Sequence, residues 1–200
     1  VDAEDCIDFV RQQDDLSKVL LLTDYELLNK DLNGLKVLEV VAVTRKMLVT
    51  SYYEKQAIIK RSILLNTKIL PKTLASHARL TVRDKEVSDN TLAASQCDLI
   101  VLEDNREYSD ILRYLCAQNG RKTIVYNSVY ELLSHLKTFD RSIKICLDYD
   151  LGCPVNGIDI AELLYNDGYE NLYMASGFSF EKSEVPPYIN LIKKNEVFNL

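Results

Sequence analysis

Short apolar runs recur along this chain, each bounded by polar residues, and between them lie stretches with helical spacing. Residues 98–104 read Asp98-Leu99-Ile100-Val101-Leu102-Glu103-Asp104, and residues 143–150 read Ile143-Lys144-Ile145-Cys146-Leu147-Asp148-Tyr149-Asp150. Both runs look like buried strands that end abruptly in carboxylates, with 45 residues from Glu103 to Asp148 (148 − 103). From residue 97 onward the alternation is regular. Strands are predicted at Leu99–Leu102, Thr123–Tyr126, Ile143–Leu147, Leu172–Ala175 and Ile189–Ile192. Helical spacing covers about Ser109–Gln118, Val129–Leu136 and Ile158–Asn166, with stops at Asn119-Gly120 and near Gly168. Strands alternating with helices over short connections imply βαβ units and a parallel sheet.

The first 85 residues repeat part of this pattern. A helix from Cys6 to about Gln13 leads to a strand at Val19–Leu22, which runs out at Asp24. A helix near Leu35–Val40 precedes a strand at Met47–Val49, ending at Thr50-Ser51. A helix over roughly Glu54–Leu65 precedes a strand at Lys68–Leu70, ending at Pro71-Lys72. Between the two copies, Asp84 to Gln96 is polar and lacks a clear period, so residues 86–96 read as a linker. The expected organisation is a partial α/β unit at 1–85 and a fuller one at 97–200.

Acidic residues at the end of buried strands lie at the mouth of an open α/β sheet, where such sheets bind ligands. Carboxylates gathered there repel one another unless a hard cation sits between them. Glu103, Asp104 and Asp148 are therefore candidate metal ligands, with Asp148 at the centre.

Composition narrows the field. The chain has 200 residues, 47% hydrophobic and 27% charged, an ordinary globular balance. Its net charge of −6 argues against a nucleic-acid partner, because phosphate contacts need a basic face. No apolar run is long enough for a membrane span, and the acidic start lacks the marks of a signal peptide. Five cysteines without a C-x-x-C pair read as buried thiols of a reducing compartment, which makes the cytoplasm the expected location. His77 and His135 are too isolated for a metal cluster and read as helix-surface residues.

Together, Glu103-Asp104, the stretch Leu147-Asp148-Tyr149-Asp150-Leu151-Gly152, the following Asn156-Gly157-Ile158-Asp159-Ile160-Ala161, Ser176 and Lys193 resemble the receiver domain of two-component response regulators. The resemblance covers about residues 97–200. It implies a flavodoxin-like (βα)5 doubly wound parallel sheet and phosphorylation of Asp148 by a histidine kinase or phosphotransfer protein. It also implies Mg²⁺ held by Glu103, Asp104, Asp148 and the backbone carbonyl of Asp150. Ser176 and Lys193 would then contact the phosphoryl group, with Gly177 leaving room for it. In the first segment Asp24, Thr50 and Lys72 fall at the acceptor, hydroxyl and lysine positions, as a possible second site in a partial receiver-like unit. The arrangement is similar to the C-terminal part of a hybrid sensor kinase, which implies a piece of something longer. Two features depart from the family pattern. Only seven residues follow Lys193 (200 − 193), too few for the usual last helix. The aromatic position before the lysine falls on Asn190, with Tyr188 nearest. The exposed last edge leaves a homodimer open.

The residue types suit the chemistry. Phosphoryl transfer needs an in-line nucleophile, charge neutralisation and held geometry more than covalent assistance. Each residue also has a plainer reading. Glu103-Asp104 could be a helix N-cap, Asp150 a loop residue, Ser176 a turn residue and Lys193-Lys194 a solvated pair whose register slips by one. Two other functions remain open at this point: a pseudo-receiver that docks without being phosphorylated, and a haloacid dehalogenase-type Mg²⁺ phosphatase using Asp148-Tyr149-Asp150 as D-x-D. The latter family normally places its acidic pair downstream, whereas Glu103-Asp104 lies upstream.

Overall fold

In the computed structural model, residues 2–27, 32–78, 97–177 and 184–200 are described, and the chain divides into two units, Val1–Glu86 and Val87–Leu200. The expected linker at 86–96 lies outside the described residues.

The second unit carries β4 (Leu99–Leu102), β5 (Thr123–Tyr126), β6 (Lys144–Asp148), β7 (Leu172–Ser176) and β8 (Ile189–Lys193). All neighbouring pairs are parallel, in the order β5-β4-β6-β7-β8. Counted within the unit this is 2-1-3-4-5, an order compatible with a flavodoxin-like sheet. Helix α5 (Arg106–Gln118) follows β4, α6 (Val129–His135) follows β5 and α7 (Gly157–Asn166) follows β6. α5 begins three residues before the expected Ser109 because Asn105 caps it, its side chain accepting from the Tyr108 amide at 3.0 Å.

Both faces of this sheet are covered, which explains why β4 is apolar throughout and wholly buried. Leu112 and Cys116 of α5 pack with Leu99, Val101, Cys146 and Ala175. Residues of opposite parity face α7, since the Met174 side chain lies beside Gly157 at the start of that helix. The short tail after β8 does not leave the α5 face open. It winds into a 3₁₀ turn, Lys194–Asn199, whose Val197 is buried in the same cluster as Leu112.

The first unit has α1 (Ala3–Arg11), β1 (Leu20–Asp24), α2 (Gly34–Val40), β2 (Arg45–Thr50), α3 (Gln56–Leu64), β3 (Lys68–Pro71) and the one-turn α4 (Lys72–Ala75). Its sheet is parallel in the order β1-β2-β3. The core lies on one face, where Ala3, Ile7 and Val10 of α1 meet Leu21, Leu35, Leu38, Leu48 and Ile58.

The two units agree in register as well as order. Asp24 pairs with Val49, Val49 with Leu70 and Thr50 with Pro71. Asp148 pairs with Ala175, Ala175 with Ile192 and Ser176 with Lys193. The loop after each aspartate closes the same way: the Gly34 amide donates to the Tyr25 carbonyl at 3.0 Å and the Gly157 amide to the Tyr149 carbonyl at 2.8 Å. Each glycine starts a helix capped by the preceding asparagine, and a Cβ on either would collide with the aspartate's own carbonyl. Only glycine allows the helix to start so close to the strand end.

Candidate functional site

The C-terminal ends of β4, β6, β7 and β8 meet at an open cleft lined by Glu103, Asp104, Asn105, Asp148, Asp150, Gly152, Ser176, Gly177 and Lys194. Each side chain is placed by its element. Asp148 ends β6, with the parity that puts Cys146 and Ala175 on the α5 face, and it is 7% exposed. Glu103 follows β4 and is 2% exposed, while Asp104 beside it faces solvent. Carboxylate oxygens of Glu103, Asp104 and Asp148 lie within 4.8 Å of one another.

Lys194 ties two of them together. Its ammonium donates to Asp148 Oδ2 at 2.8 Å and to Glu103 Oε2 at 3.0 Å. Three carboxylates and one ammonium leave a formal charge of −2, which a divalent cation would balance. Burial raises the carboxyls of Glu103 and Asp148 above their ordinary range, and the bonds from Lys194 only partly offset this. Burial also works against the Lys194 charge, but its bonds to Asp148 and Glu103 prevail and hold its value above that of an ordinary lysine. The set of hard oxygens, close together and short of positive charge, fits a metal ion.

The surroundings hold these groups in place. The Asn127 amide donates to the Glu103 carbonyl at 2.8 Å and to Ser109 Oγ at 2.6 Å. The Asn105 amide donates to Glu103 Oε1 at 3.2 Å, and the Tyr149 amide to Asp148 Oδ1 at 2.8 Å. The Tyr108 hydroxyl donates to the Lys194 carbonyl at 2.6 Å, with the Lys194 ammonium 5.1 Å from the Tyr108 ring centre. Burial pushes the Tyr108 phenol up to about 12, so it stays a proton donor at neutral pH.

Of the residues singled out from the sequence, Glu103, Asp104, Asp148, Asp150 and Ser176 all line the cleft. Asp150 does so without joining the three-carboxylate group, its Oδ1 accepting from the Gly152 amide at 3.2 Å. The cleft is lined by Lys194 and not by Lys193. Side chains alternate along β8, so Ile192, which packs beside Val197 and Ala175, shares the Asp148 face with residue 194. Lys193 has the opposite parity, is exposed, and its amide donates to Glu196 at 3.4 Å. Among the aromatic positions, Asn190 is exposed on β8 and Tyr188 stacks on Tyr165 at 4.1 Å between ring centres.

In the first unit, two of the three candidate residues, Asp24 and Lys72, are brought together. Lys72 donates to Asp24 across 2.5 Å at the end of the sheet. Thr50 is buried and its Oγ1 accepts from the Tyr52 amide at 2.9 Å. His77 and His135 are exposed, and all five cysteines are free thiols. No helix of the described residues is long and apolar enough to cross a membrane.

No family model, curated protein or solved structure matches this chain.

Proposed function

We propose that the second unit is a receiver-type phosphoacceptor module, in which Asp148 takes a phosphoryl group from a phosphohistidine of a kinase or phosphotransfer protein. The observation that carries this reading is the lysine bridge between two nearly buried carboxylates at the mouth of a parallel sheet. A structural ion pair would need one carboxylate. This cleft gathers three, two of them bonded to one ammonium, and beside them stand a hydroxyl residue, Ser176, and a residue with no side chain, Gly177.

In the proposed step an Asp148 carboxylate oxygen attacks phosphorus in line. The new O–P bond forms as the P–N bond to the donor histidine breaks, leaving an acyl phosphate and an imidazole whose nitrogen takes a proton from solvent. Glu103, Asp104 and Asp148, with the backbone carbonyl of Asp150, would hold Mg²⁺, which when bound supplies charge neutralisation for the incoming anion. Lys194 presents an ammonium that can leave the Asp148 carboxylate for a phosphoryl oxygen. Ser176 at the end of β7 offers a hydroxyl to a second oxygen and couples the new charge to the loop that follows. The first unit we read as a partial receiver-like copy, with an Asp24–Lys72 pair but without the acidic residues of β4.

Beryllofluoride with Mg²⁺, a mimic of an aspartyl phosphate, tests the reading. The amide resonances of 148–150, 176–177 and 193–195 should shift together in the native chain and stay unchanged in Asp148→Asn. No response in the native chain would favour a docking module, and turnover of a phosphomonoester would favour a phosphatase.

A further inference from the structure

Glu103 and Asp104 are neighbours in sequence, so one planar peptide lies between their two carboxylates. Turning that plane would change ψ of Glu103 and φ of Asp104 together and swing the two side chains apart. The ladder between β4 and β5 ends at Leu102 and Tyr126. The Glu103 amide still donates to the Tyr126 carbonyl at 3.0 Å, but the Glu103 carbonyl takes its bonds from side chains. Asn127 Nδ2 donates to it at 2.8 Å and Ser109 Oγ at 3.3 Å, which occupies both lone pairs. The second proton of Asn127 Nδ2 goes to Ser109 Oγ at 2.6 Å, and Ser109 is fully buried.

An asparagine amide can face either way. Here Arg113, one helical turn after Ser109 on α5, decides the direction. Its Nη2 donates to Asn127 Oδ1 at 3.2 Å and to the Val125 carbonyl at 2.9 Å, while Nη1 donates to Asp110 at 2.8 Å. A guanidinium carries only donors. With the amide reversed, its NH₂ group would face Arg113 and its oxygen the Glu103 carbonyl, donor against donor and acceptor against acceptor.

We propose that Asn127 is a positioning residue for the cation site and that Arg113 sets the direction of its amide. Asn127 acts through the peptide between Glu103 and Asp104, holding both carboxylates near Asp148 before a cation arrives. Groups that hold a metal's ligands in this way commonly change its affinity by about 10–100-fold. An exposed ion pair on α5, Asp110 with Arg113, is thereby linked to the orientation of two buried bonds at the cleft. The inference rests on reading Glu103, Asp104 and Asp148 as a cation site, and it does not depend on whether Asp148 is phosphorylated.

The test is binding of Mn²⁺, a hard divalent cation with the ligand preferences of Mg²⁺, to the full chain, read from the electron paramagnetic resonance of the free ion. The native chain should bind an ion that Asp148→Asn loses. Asn127→Leu, similar in shape, should weaken binding about tenfold. Arg113→Met should also weaken it, although it removes a positive charge, a change that by Coulomb's law alone would tighten a cation. Arg141→Met breaks a comparable exposed pair, with Asp167 at 3.0 Å, near the start of β6, and should leave the affinity unchanged. In the metal-free chain, the side-chain amide protons of Asn127 should exchange with water about fivefold faster in Arg113→Met, the worth of one hydrogen bond. Arg113→Met, at an exposed position, decides the matter should Asn127→Leu fail to fold. Absence of Mn²⁺ binding by the native chain overturns the cation site and this inference with it. Native binding with unchanged affinity in Asn127→Leu overturns the inference alone. So does tighter binding in Arg113→Met, which would make the arginine only a neighbouring charge, or equal weakening in Arg141→Met, which would make the effect a general loosening.

Discussion

The Lys194 ammonium lies 2.8 Å from Asp148 Oδ2, and the carbonyl of the same lysine accepts the Tyr108 hydroxyl at 2.6 Å. One residue just after β8 is thus held at its backbone by α5 and at its side chain by β6. Lys193, one position earlier, is exposed, and its amide donates to Glu196 at 3.4 Å.

Replacing the two lysines should therefore give opposite results. Lys194→Ala leaves two buried carboxylates without their cation, at a cost on the order of 1–3 kcal/mol. It should also remove any beryllofluoride response. Lys193→Ala, on an exposed side chain, should stay within about 0.5 kcal/mol of the native chain and keep the response. Urea denaturation and a beryllofluoride titration of both variants check this.

Tyr108→Phe keeps the ring beside the ammonium and removes the hydroxyl from the Lys194 carbonyl. A loss of about 1 kcal/mol is expected from the bond itself. The more telling readout is the split between Tyr108→Phe and Tyr108→Leu in beryllofluoride affinity. If the hydroxyl positions Lys194, both weaken binding alike. If the ring alone matters, only Tyr108→Leu does.

Gly157→Ala places a methyl against the Asp148 carbonyl and 3.1 Å from the Met174 methyl. The helix start must shift, so a cost of about 1–3 kcal/mol is expected. Gly120→Ala has open space around it and suffers only from its positive φ of 69°. Thermal melts of the pair should rank Gly157→Ala well below Gly120→Ala, and an equal ranking would show that the approach of helix and strand is not tight.

Metal binding should follow pH in a direction fixed by burial. Desolvation raises the carboxyls of Glu103 and Asp148, so folding takes up protons at these groups. Their contribution to stability is present below the unfolded values and is lost as pH rises through the folded ones. A divalent cation needs both carboxylates ionised, so its stabilising effect grows across that same window. At a metal concentration of about 100 times Kd, the gain is about 2.7 kcal/mol. Melting curves with Mg²⁺ and with chelator should diverge as pH rises from the acid side, and curves that stay parallel would contradict the site.

Much of this arrangement was legible from one-dimensional pattern. Apolar runs ending in Glu103 and Asp148 located β4 and β6, because a buried strand in a parallel sheet is apolar on both faces. The partial repeat was visible in Asp24, Thr50 and Lys72, of which the fold pairs Asp24 with Lys72 as it pairs Asp148 with Lys194. What spacing could not resolve was parity. Lys193 and Lys194 differ only in which face of β8 they leave, and a slip of one residue reverses the face. Ile192 carries the signal: an apolar side chain on the Asp148 face puts residue 194, not 193, on that side. Tyr108 and Asn127 carry no signal in the sequence because they act from α5 and the end of β5, through contacts distant along the chain. The seven residues after Lys193 are, as their number implies, too few for a full last helix; they form a 3₁₀ turn whose buried Val197 could not be read from their count.

The central claim is that Asp148 is the phosphoryl acceptor. Incubating the full chain with acetyl phosphate and Mg²⁺, then measuring intact mass before and after hydroxylamine, tests it most directly. One hydroxylamine-labile phosphoryl adduct is expected in the native chain and in Asp24→Asn, absent in Asp148→Asn and strongly reduced in Lys194→Ala. An adduct that persists in Asp148→Asn, or none in the native chain while Mg²⁺ binds, would contradict the account.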